Sequence, residues 1–256
     1  MDTPRNIAFI PAAGLGKRLK DETKELPKAL VEVHGKPMIF WVLKKLSAAG
    51  ITDFVINIHH HADKLIAWLS EYQTSNPDVR IHMSLEKDRL LDTGGALKKA
   101  RPILENFSHV LVHNVDIFSD LNVSSFMEYN VSQDLDALLL VSDRQTNRNL
   151  LLDDSMKLSG WENRKTGEKL IVGNSRDSLK ARAFSGIYLM SPELLNYVPE
   201  EDVFSVIPWF LHLSNKHKIF AFEHDGSHWY DAGKPPSLKV LREMSFEDFK
   251  QMTEST

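Results

Sequence analysis

The stretch Asn6-Ile-Ala-Phe-Ile-Pro-Ala-Ala-Gly-Leu-Gly-Lys-Arg18 sets two glycines and a guanidinium directly after an apolar run, and Pro27-Lys28 adds an ammonium after a polar spacer. These residue types suit the holding of an anion: glycines let backbone N–H groups approach a phosphate, and Arg18 and Lys28 bring opposite charge. Read alone, Gly14-x-Gly16 is also compatible with ordinary turn chemistry. It matches neither of the two commoner phosphate loops. Leu19 stands where the dinucleotide fingerprint needs its third glycine, and no Gly-Lys-Ser/Thr closes the loop.

Other residues invite the same question. Asn114-Val-Asp116 follows the apolar run Val110 to His113, and ligands of open α/β sheets bind beyond the carboxyl ends of strands. An ordinary helix cap or turn residue would look the same. Leu90-Leu-Asp-Thr-Gly-Gly-Ala-Leu97 has a glycine pair, Gly94 and Gly95, opening a helix that Asp92 or Thr93 is placed to cap. Tight packing and the approach of a flat nucleobase explain that pair equally well. His59-His60-His61 resembles a ligand set, but adjacent side chains diverge on a strand or loop, so the three read as solvated. Arg144 and Arg148 read as solvated charges too.

The elements that must position these groups follow from periodicity. Ile7 to Ile10 is a buried strand; Met38 to Ala49 carries a broad apolar helical face closed by Gly50; Phe54 to Ile58 is a strand and Ala62 to Tyr72 a helix. Val79 to Leu85, Val110 to His113 and Ala137 to Val141 continue as strands, with a helix from Gly94 to about Leu104 between the first two. Strand–helix alternation implies a mostly parallel sheet with crossover helices, an α/β fold. From Arg144 to Arg182 the chain turns polar and reads as a β-hairpin insertion over one end of the sheet. Ala183 to Leu189 is the next strand, Ser191-Pro192-Glu193 starts a helical turn, Phe204 to Leu213 is a helix, and Ile219 to Phe222 is a strand. Trp229-Tyr-Asp-Ala-Gly233 leads into a last helix from Ser237 to about Phe249, with a fraying polar tail.

Composition bounds the rest. The 256 residues, 42% hydrophobic and 26% charged, suit one elaborated domain, 1–256, with the insertion at about 144–182. A net charge of −4 argues against a general nucleic-acid binder, so any polyanion must meet a local cluster of cations. The absence of cysteine excludes disulfides, thiolate metal sites and a cysteine nucleophile. There is no apolar run of membrane-spanning length, and Met1 to Asn6 is not a signal peptide, so no membrane partner and a cytoplasmic location are expected.

Taken together, these motifs resemble the sugar-1-phosphate nucleotidyltransferases, or NDP-sugar pyrophosphorylases. That family opens with an apolar strand, Ala-Ala-Gly-x-Gly-x-Arg and a later Pro-Lys, here Ala12 to Arg18 and Pro27-Lys28. Its Gly-Asp is echoed by Asn114-Val-Asp116, its Gly-Ile-Tyr by Gly186-Ile-Tyr188, and its Trp-x-Asp-x-Gly-x-Pro by Trp229 to Pro235. Within the family, Leu91-Asp-Thr-Gly-Gly95 is most similar to the Glu-Thr-Gly-Gly of N-acetylmuramate-1-phosphate uridylyltransferases of cell-wall recycling. The length fits as well, since no hexapeptide β-helix repeat follows. Departures are Asp21-Glu22-Thr23, which brings acid beside a phosphate loop, Val115 for glycine, Lys234 for threonine, and Asp92 for glutamate.

The resemblance implies a GT-A-like, Rossmann-like fold with a mixed, mostly parallel sheet, and a reaction of an NTP with a sugar 1-phosphate that yields an NDP-sugar and pyrophosphate. It assigns nucleotide contacts to Ala12, Ala13, Gly14, Gly16, Lys17, Arg18, Lys28, Gly94 and Gly95. Sugar contacts fall to Asn114, Glu162, Gly186 and Asp231, Glu162 only by loose analogy. Arg18, Lys28 and Asp116 are the catalytic set, and Asp116 with Asp231 implies a Mg²⁺ site. UTP and an N-acetylmuramate 1-phosphate-like sugar are favoured. The alternatives are a mannose-1-phosphate guanylyltransferase making GDP-mannose and a catalytically silent nucleotide-sugar sensor. Monomer and homodimer remain open, and the acidic spacer Asp21 to Glu25 has no role in this reading.

Overall fold

The first strand, β1 (Asn6–Pro11), is buried on both faces. Ile7 and Phe9 enter one hydrophobic core while Ala8 and Ile10 enter another, as strand alternation demands of a central strand. The computed structural model describes residues 5–173, 178–224 and 228–254. Residues 1–4 of the N-terminal stretch, 174–177 of the inserted region and 255–256 of the tail lie outside the described residues.

After β1 and a 3-10 turn over Lys17–Thr23 come a short ribbon, β2 (Glu32–Val33) and β3 (Lys36–Pro37), and helix α1 (Met38–Ala48). There follow β4 (Asp53–Ile58), α2 (Ala62–Ser75), β5 (Arg80–Leu85), α3 (Asp92–Leu104), β6 (His109–His113), β7 (Ile117–Ser119), α4 (Val123–Ser132) and β8 (Ala137–Ser142). The inserted region forms β9 (Arg148–Leu152), β10 (Leu158–Asn163) and β11 (Glu168–Ile171), and then β12 (Lys180–Met190) returns to the main sheet. The chain closes with α5 (Val206–Leu213), β13 (Ile219–Glu223), β14 (Trp229–Asp231), α6 (Pro235–Glu243) and α7 (Phe246–Thr253).

The large sheet runs β11-β10-β9-β12-β6-β1-β4-β5, with β8 beside β12 and β13 beside β8. Strands β6, β1, β4 and β5 are parallel, whereas β12 is antiparallel to both β6 and β8, so the sheet is mixed, as expected. The first part of β12 pairs with β9 and its last part with β6, so the hairpins extend the sheet itself. Helices α3 and α5 contribute Leu97 and Phe210 to one core; α1, α2 and α4 contribute Leu43, Leu65 and Phe126 to the other. Among the described residues no helix is long and apolar enough to cross a membrane.

Four local expectations change. Neither Asp92 nor Thr93 caps α3: both lie in its first turn after Leu91, the Gly94 and Gly95 amides donate to the Phe204 carbonyl at 2.9 and 3.2 Å, and Thr93 Oγ1 accepts the Val206 N–H. Phe204 therefore lies outside α5, which starts at Val206. The single final helix is two, because Met244 is extended and Ser245 caps α7, its Oγ accepting the Asp248 N–H at 3.1 Å. Nor is that end a fraying tail: Phe249 and Met252 are buried in a third core with Leu19, Trp41, Phe118 and Leu238. Strand β7 and helix α4 have no counterpart in the sequence reading.

Phe249 is fully buried and its ring lies 4.9 Å from that of Trp41 and 5.7 Å from that of Phe118. Removing it leaves a large cavity under β7, so Phe249→Ala should destabilise the fold by about 3–5 kcal/mol. Urea unfolding measures this, and a loss below about 1 kcal/mol would show that α7 is not part of the cooperative core.

Candidate active site

Parallel strands β1 and β6 end side by side, so the glycine loop and Asn114-Val115-Asp116 leave the sheet at the same edge. Strand β14 then pairs antiparallel with β7, setting Asp231 opposite Ile117, and the Asp116 carbonyl accepts the Ala232 N–H at 2.8 Å. This small ladder, absent from the sequence reading, brings Asp116 and Asp231 together.

Cations close around the pair. Lys28 Nζ donates to Asp116 Oδ2 at 2.9 Å, and Arg18 Nη2 lies 3.8 Å from the same oxygen. Arg18 also reaches Asp231 through Nη1 at 3.0 Å and Nη2 at 3.4 Å, and Lys234 Nζ is 3.3 Å from Asp231 Oδ2. Asp116 is only 5% exposed. Burial pushes its carboxyl up, but the Lys28 charge and hydrogen bond, with Arg18 behind them, hold it below the usual carboxylate range. Gly233 lies at the centre. A Cβ there would fall 2.8 Å from Arg18 Nη2 and 2.9 Å from Asp231 Oδ1, and closer still to Asp116 Oδ2, so only glycine leaves the acids room to face one site.

Two cavities meet at this cluster. One, of about 470 Å³, is lined by Ala13, Gly14, Lys28, Asn57, Glu86, Asp92 and Thr93. The other, of about 520 Å³, is lined by Gly186, Asp231, Lys234, Arg144, Arg148 and a wall of apolar residues. Arg18, Asn114 and Asp116 line both. Such an arrangement can hold two ligands with their anionic ends against one shared wall. The two carboxylates are hard oxygen donors suited to a divalent cation that draws its remaining ligands from phosphate and water. No third His, Cys, Asp or Glu joins them among the described residues.

The other sequence candidates divide. Gly14 lines the first cavity, and the amides of Gly14, Leu15 and Gly16 have no acceptor among the described residues. Ala12 and Ala13 do not offer theirs: both donate to the Asn57 side-chain oxygen, at 2.7 and 3.3 Å. Lys17 is exposed and lines neither cavity. At Gly94 and Gly95 the packing reading accounts for the residues. A Cβ on the first would enter the Phe204 ring, and one on the second would overlap the Asp202 carbonyl oxygen. Asn114 and Gly186 lie at the wall and in the second cavity, and the Asn114 N–H donates to the Gly186 carbonyl at 3.0 Å. Glu162 is a correction. Its neighbour Trp161 faces the cavity, so strand alternation turns Glu162 to the opposite face, where Asn149 and Arg164 donate to its Oε1 at 3.1 and 2.8 Å.

Two residues escaped the sequence reading. Asn57, buried in β4, receives the loop amides and donates to Glu86 Oε1 at 2.7 Å; Glu86 Oε2 accepts the Leu91 N–H at 3.0 Å. The signal was present: one polar residue within the apolar run Phe54 to Ile58, and an acid directly after β5. His59 is not simply solvated, as its Nδ1 lies 2.7 Å from the Glu86 carbonyl oxygen.

The nucleotidyl transferase family model matches residues 7–149 of the chain. Mannose-1-phosphate guanyltransferase of Aspergillus oryzae is 28% identical over 231 residues, covering 89% of this chain and 61% of that protein. This chain therefore spans about three-fifths of that relative's length. N-acetylmuramate alpha-1-phosphate uridylyltransferase of Caulobacter vibrioides is 28% identical over 242 residues, covering 92% and 95%. Among solved structures, a putative glucose-1-phosphate thymidylyltransferase from Bacillus anthracis shares the fold with a TM-score of 0.77 and 21% identity, over 94% of this chain and 97% of that one.

The Lys28–Asp116 contact predicts a pH effect. With its folded pKa lowered, Asp116 contributes stability that is present above the unfolded carboxyl value, about 4, and is lost as pH falls through the folded value. In Lys28→Met the burial penalty loses its main opponent, so that contribution should shrink or reverse. The stability gap between the wild type and Lys28→Met should widen from pH 3 to pH 6 in urea melts. A gap constant over that range would remove Lys28 as the group that holds Asp116 ionised.

Proposed function

The chain belongs to the nucleotidyl transferase family, and from that premise we propose that it joins an NTP to a sugar 1-phosphate, forming an NDP-sugar and releasing pyrophosphate. The observation that carries this reading is the shared wall: two adjacent cavities of about 470 and 520 Å³ have Arg18, Asn114 and Asp116 in common. A phosphate oxygen of the sugar 1-phosphate bonds to the nucleotide α-phosphorus, the bond from that phosphorus to the β-phosphate oxygen breaks, and pyrophosphate departs with the electron pair. The nucleophile is already an anion, so no proton need be removed.

What the protein must supply is position and opposite charge. The unbonded amides of Gly14 to Gly16 and the Arg18 guanidinium suit the β- and γ-phosphates of the leaving group. Lys28, at the inner end of the nucleotide cavity, suits the junction of α-phosphate and sugar phosphate. Asn57 and Glu86 hold the loop and the segment opening α3 in fixed relation and keep Ala12 and Ala13 from competing for the ligand. Asp116 and Asp231 would hold Mg²⁺, which supplies a charge that offsets the gathered phosphates.

We favour UTP and an N-acetylmuramate-like sugar 1-phosphate. Leu91-Asp-Thr-Gly-Gly95 supports this choice, as does the Caulobacter uridylyltransferase, matched over nearly its whole length. A second reading, GTP with mannose 1-phosphate, is supported by the fungal guanyltransferases at the same identity. The intact set of Arg18, Lys28, Asp116 and Asp231 argues against a silent sensor.

A matrix of four NTPs against a panel of sugar 1-phosphates with Mg²⁺, read as pyrophosphate release, tests the proposal. Release with GTP and mannose 1-phosphate but not with UTP would reverse the substrate choice, and silence across the panel with tight NDP-sugar binding would favour the sensor. Asp116→Asn and Asp231→Asn should each lower turnover at least ~10²-fold, since several kcal/mol of transition-state stabilisation go with the cation. Near-normal turnover in either variant would exclude that residue from the metal site.

A further inference from the structure

Lys234, one of the departures from the family pattern, follows Gly233 in the turn over the two acids, yet the proposed reaction gives it no task. Its backbone is fixed. The Lys234 N–H donates to the Asp231 carbonyl at 3.0 Å, and its own carbonyl accepts the Leu238 N–H at 3.0 Å. Pro235 directly after it favours the extended conformation it adopts, with φ −110° and ψ 128°. The side chain lines the cavity of about 520 Å³ proposed for the sugar and not the nucleotide cavity. Lys28 is the reverse case, lining the nucleotide cavity alone. The shared wall therefore has one ammonium on each side and the Arg18 guanidinium between them. The other cations of the sugar cavity are placed differently: Arg144 is committed to the Trp229 ring, 3.9 Å away, and to the Phe184 carbonyl, and Arg148 stands on the inserted strand β9.

We propose that Lys234 binds the attacking phosphate of the sugar 1-phosphate, leaving Lys28 to the α-phosphate of the nucleotide. The inference rests on the nucleotidyltransferase reading above and adds a residue to it. Charge accounting singles Lys234 out. The cluster holds two carboxylates and three cations, and Lys234 is the cation whose departure leaves both acids paired. Asp116 keeps Lys28 at 2.9 Å, and Asp231 keeps Arg18, through Nη1 at 3.0 Å and Nη2 at 3.4 Å. Among the described residues the Lys234 Nζ meets only Asp231 Oδ2, at 3.3 Å, and its side chain is 49% exposed. An incoming anion can thus engage the ammonium without uncovering it and without stranding a buried charge. Two phosphates brought together at the wall repel each other, and Lys28, already engaged by Asp116, stands on the nucleotide side only. An ammonium on the sugar side, with three rotatable donors, meets the second phosphate. The threonine of the family pattern would offer a hydroxyl there but no charge.

Steady-state kinetics with the NTP and sugar 1-phosphate that release pyrophosphate separate the two sides of the wall. Lys234→Gln should raise KM for the sugar 1-phosphate at least about 10-fold, the loss expected of one charge-assisted hydrogen bond. KM for the NTP and, in the reverse direction, KM for pyrophosphate should stay within about 2-fold, because neither ligand lies on the Lys234 side. Lys234→Arg, which keeps the charge, should recover most of the loss. A merely structural role would move all three constants together and lower the urea midpoint. An unchanged KM for the sugar 1-phosphate, a rise shared equally by the NTP, or no recovery in Lys234→Arg overturns the inference while leaving the reaction class standing. Failure of the wild type to turn over any sugar 1-phosphate strikes the parent reading instead. Lys234 is then judged by calorimetry with inorganic phosphate, where equal affinities of the wild type and Lys234→Gln overturn its anion-binding role.

Discussion

Asp116 is a carboxylate almost wholly removed from water, and its contact with Lys28 at 2.9 Å is the condition on which the site depends. A buried charge without a partner costs several kcal/mol, so the fold must deliver a cation to that point before it can keep the acid ionised. The delivery runs through the chain's local order. Pro27 and the 3-10 turn at Lys28–Leu30 end the polar spacer with Lys28 half-buried, and β6 ends so that Asp116 meets it. Asp231 faces the same requirement and meets it differently, with Arg18 and Lys234 at its more open side. Two carboxylates and three cations form one cluster with an excess of one positive charge, which suits the phosphates of the proposed reaction.

The cluster also divides the space around it. The glycine loop, braced by Asn57, forms one side, and β12 with the inserted hairpins forms the other, leaving Arg18, Asn114 and Asp116 as the common boundary. For the proposed reaction, this division would hold two mutually repelling anions apart except at their reacting ends. Gly233 sets how close: the missing side chain lets the turn after β14 pass directly over both acids. Positioning of this kind comes mostly from backbone, from strand ends and from a three-residue ladder, rather than from long side chains reaching inward.

Much of this was legible in the residues, and what was not has physical causes. Long apolar runs such as Ile7 to Ile10 and Ala137 to Val141 announced the central sheet because strands buried on both faces tolerate little else. The partnership of Asp116 with Asp231 was not readable from either residue, since it is made by pairing β14 with β7, strands too short to leave a periodic signal. Glu162 failed for the opposite reason: its residue type suited the role, but a one-position difference on a strand decides which face it serves, and Trp161 has the cavity side. Gly94 and Gly95 were open to two readings, and the segment 202–204, far away in sequence, fills the space at their α-carbons. Asn57 stood out as the one polar residue of an apolar strand, but its task is set by the Ala12 and Ala13 amides and by Glu86, which the sequence does not place beside it.

The acidic spacer that seemed misplaced beside a phosphate loop has a structural place. Glu22 turns away from the cavities and receives both guanidinium nitrogens of Arg242, at 2.5 and 3.1 Å. The Arg242 hydrogen bond, against a small burial penalty, holds its carboxyl below the ordinary range, so it stays ionised near neutrality. Thr23 turns inward, its hydroxyl donating to the Gly16 carbonyl at 3.1 Å. Arg242 belongs to α6, the helix that starts directly after Asp231 and Gly233, so the spacer ties the phosphate loop to the segment carrying the second acid. Being exposed, the ion pair adds little to stability. Its consequence is geometric: Arg18 leaves the loop just before the spacer and Asp231 lies just before α6, so fixing Glu22 to Arg242 limits how far those two can separate. A negative residue next to the proposed phosphate site is tolerable when its charge is answered by a cation, and here that cation, Arg242, also links the loop to α6.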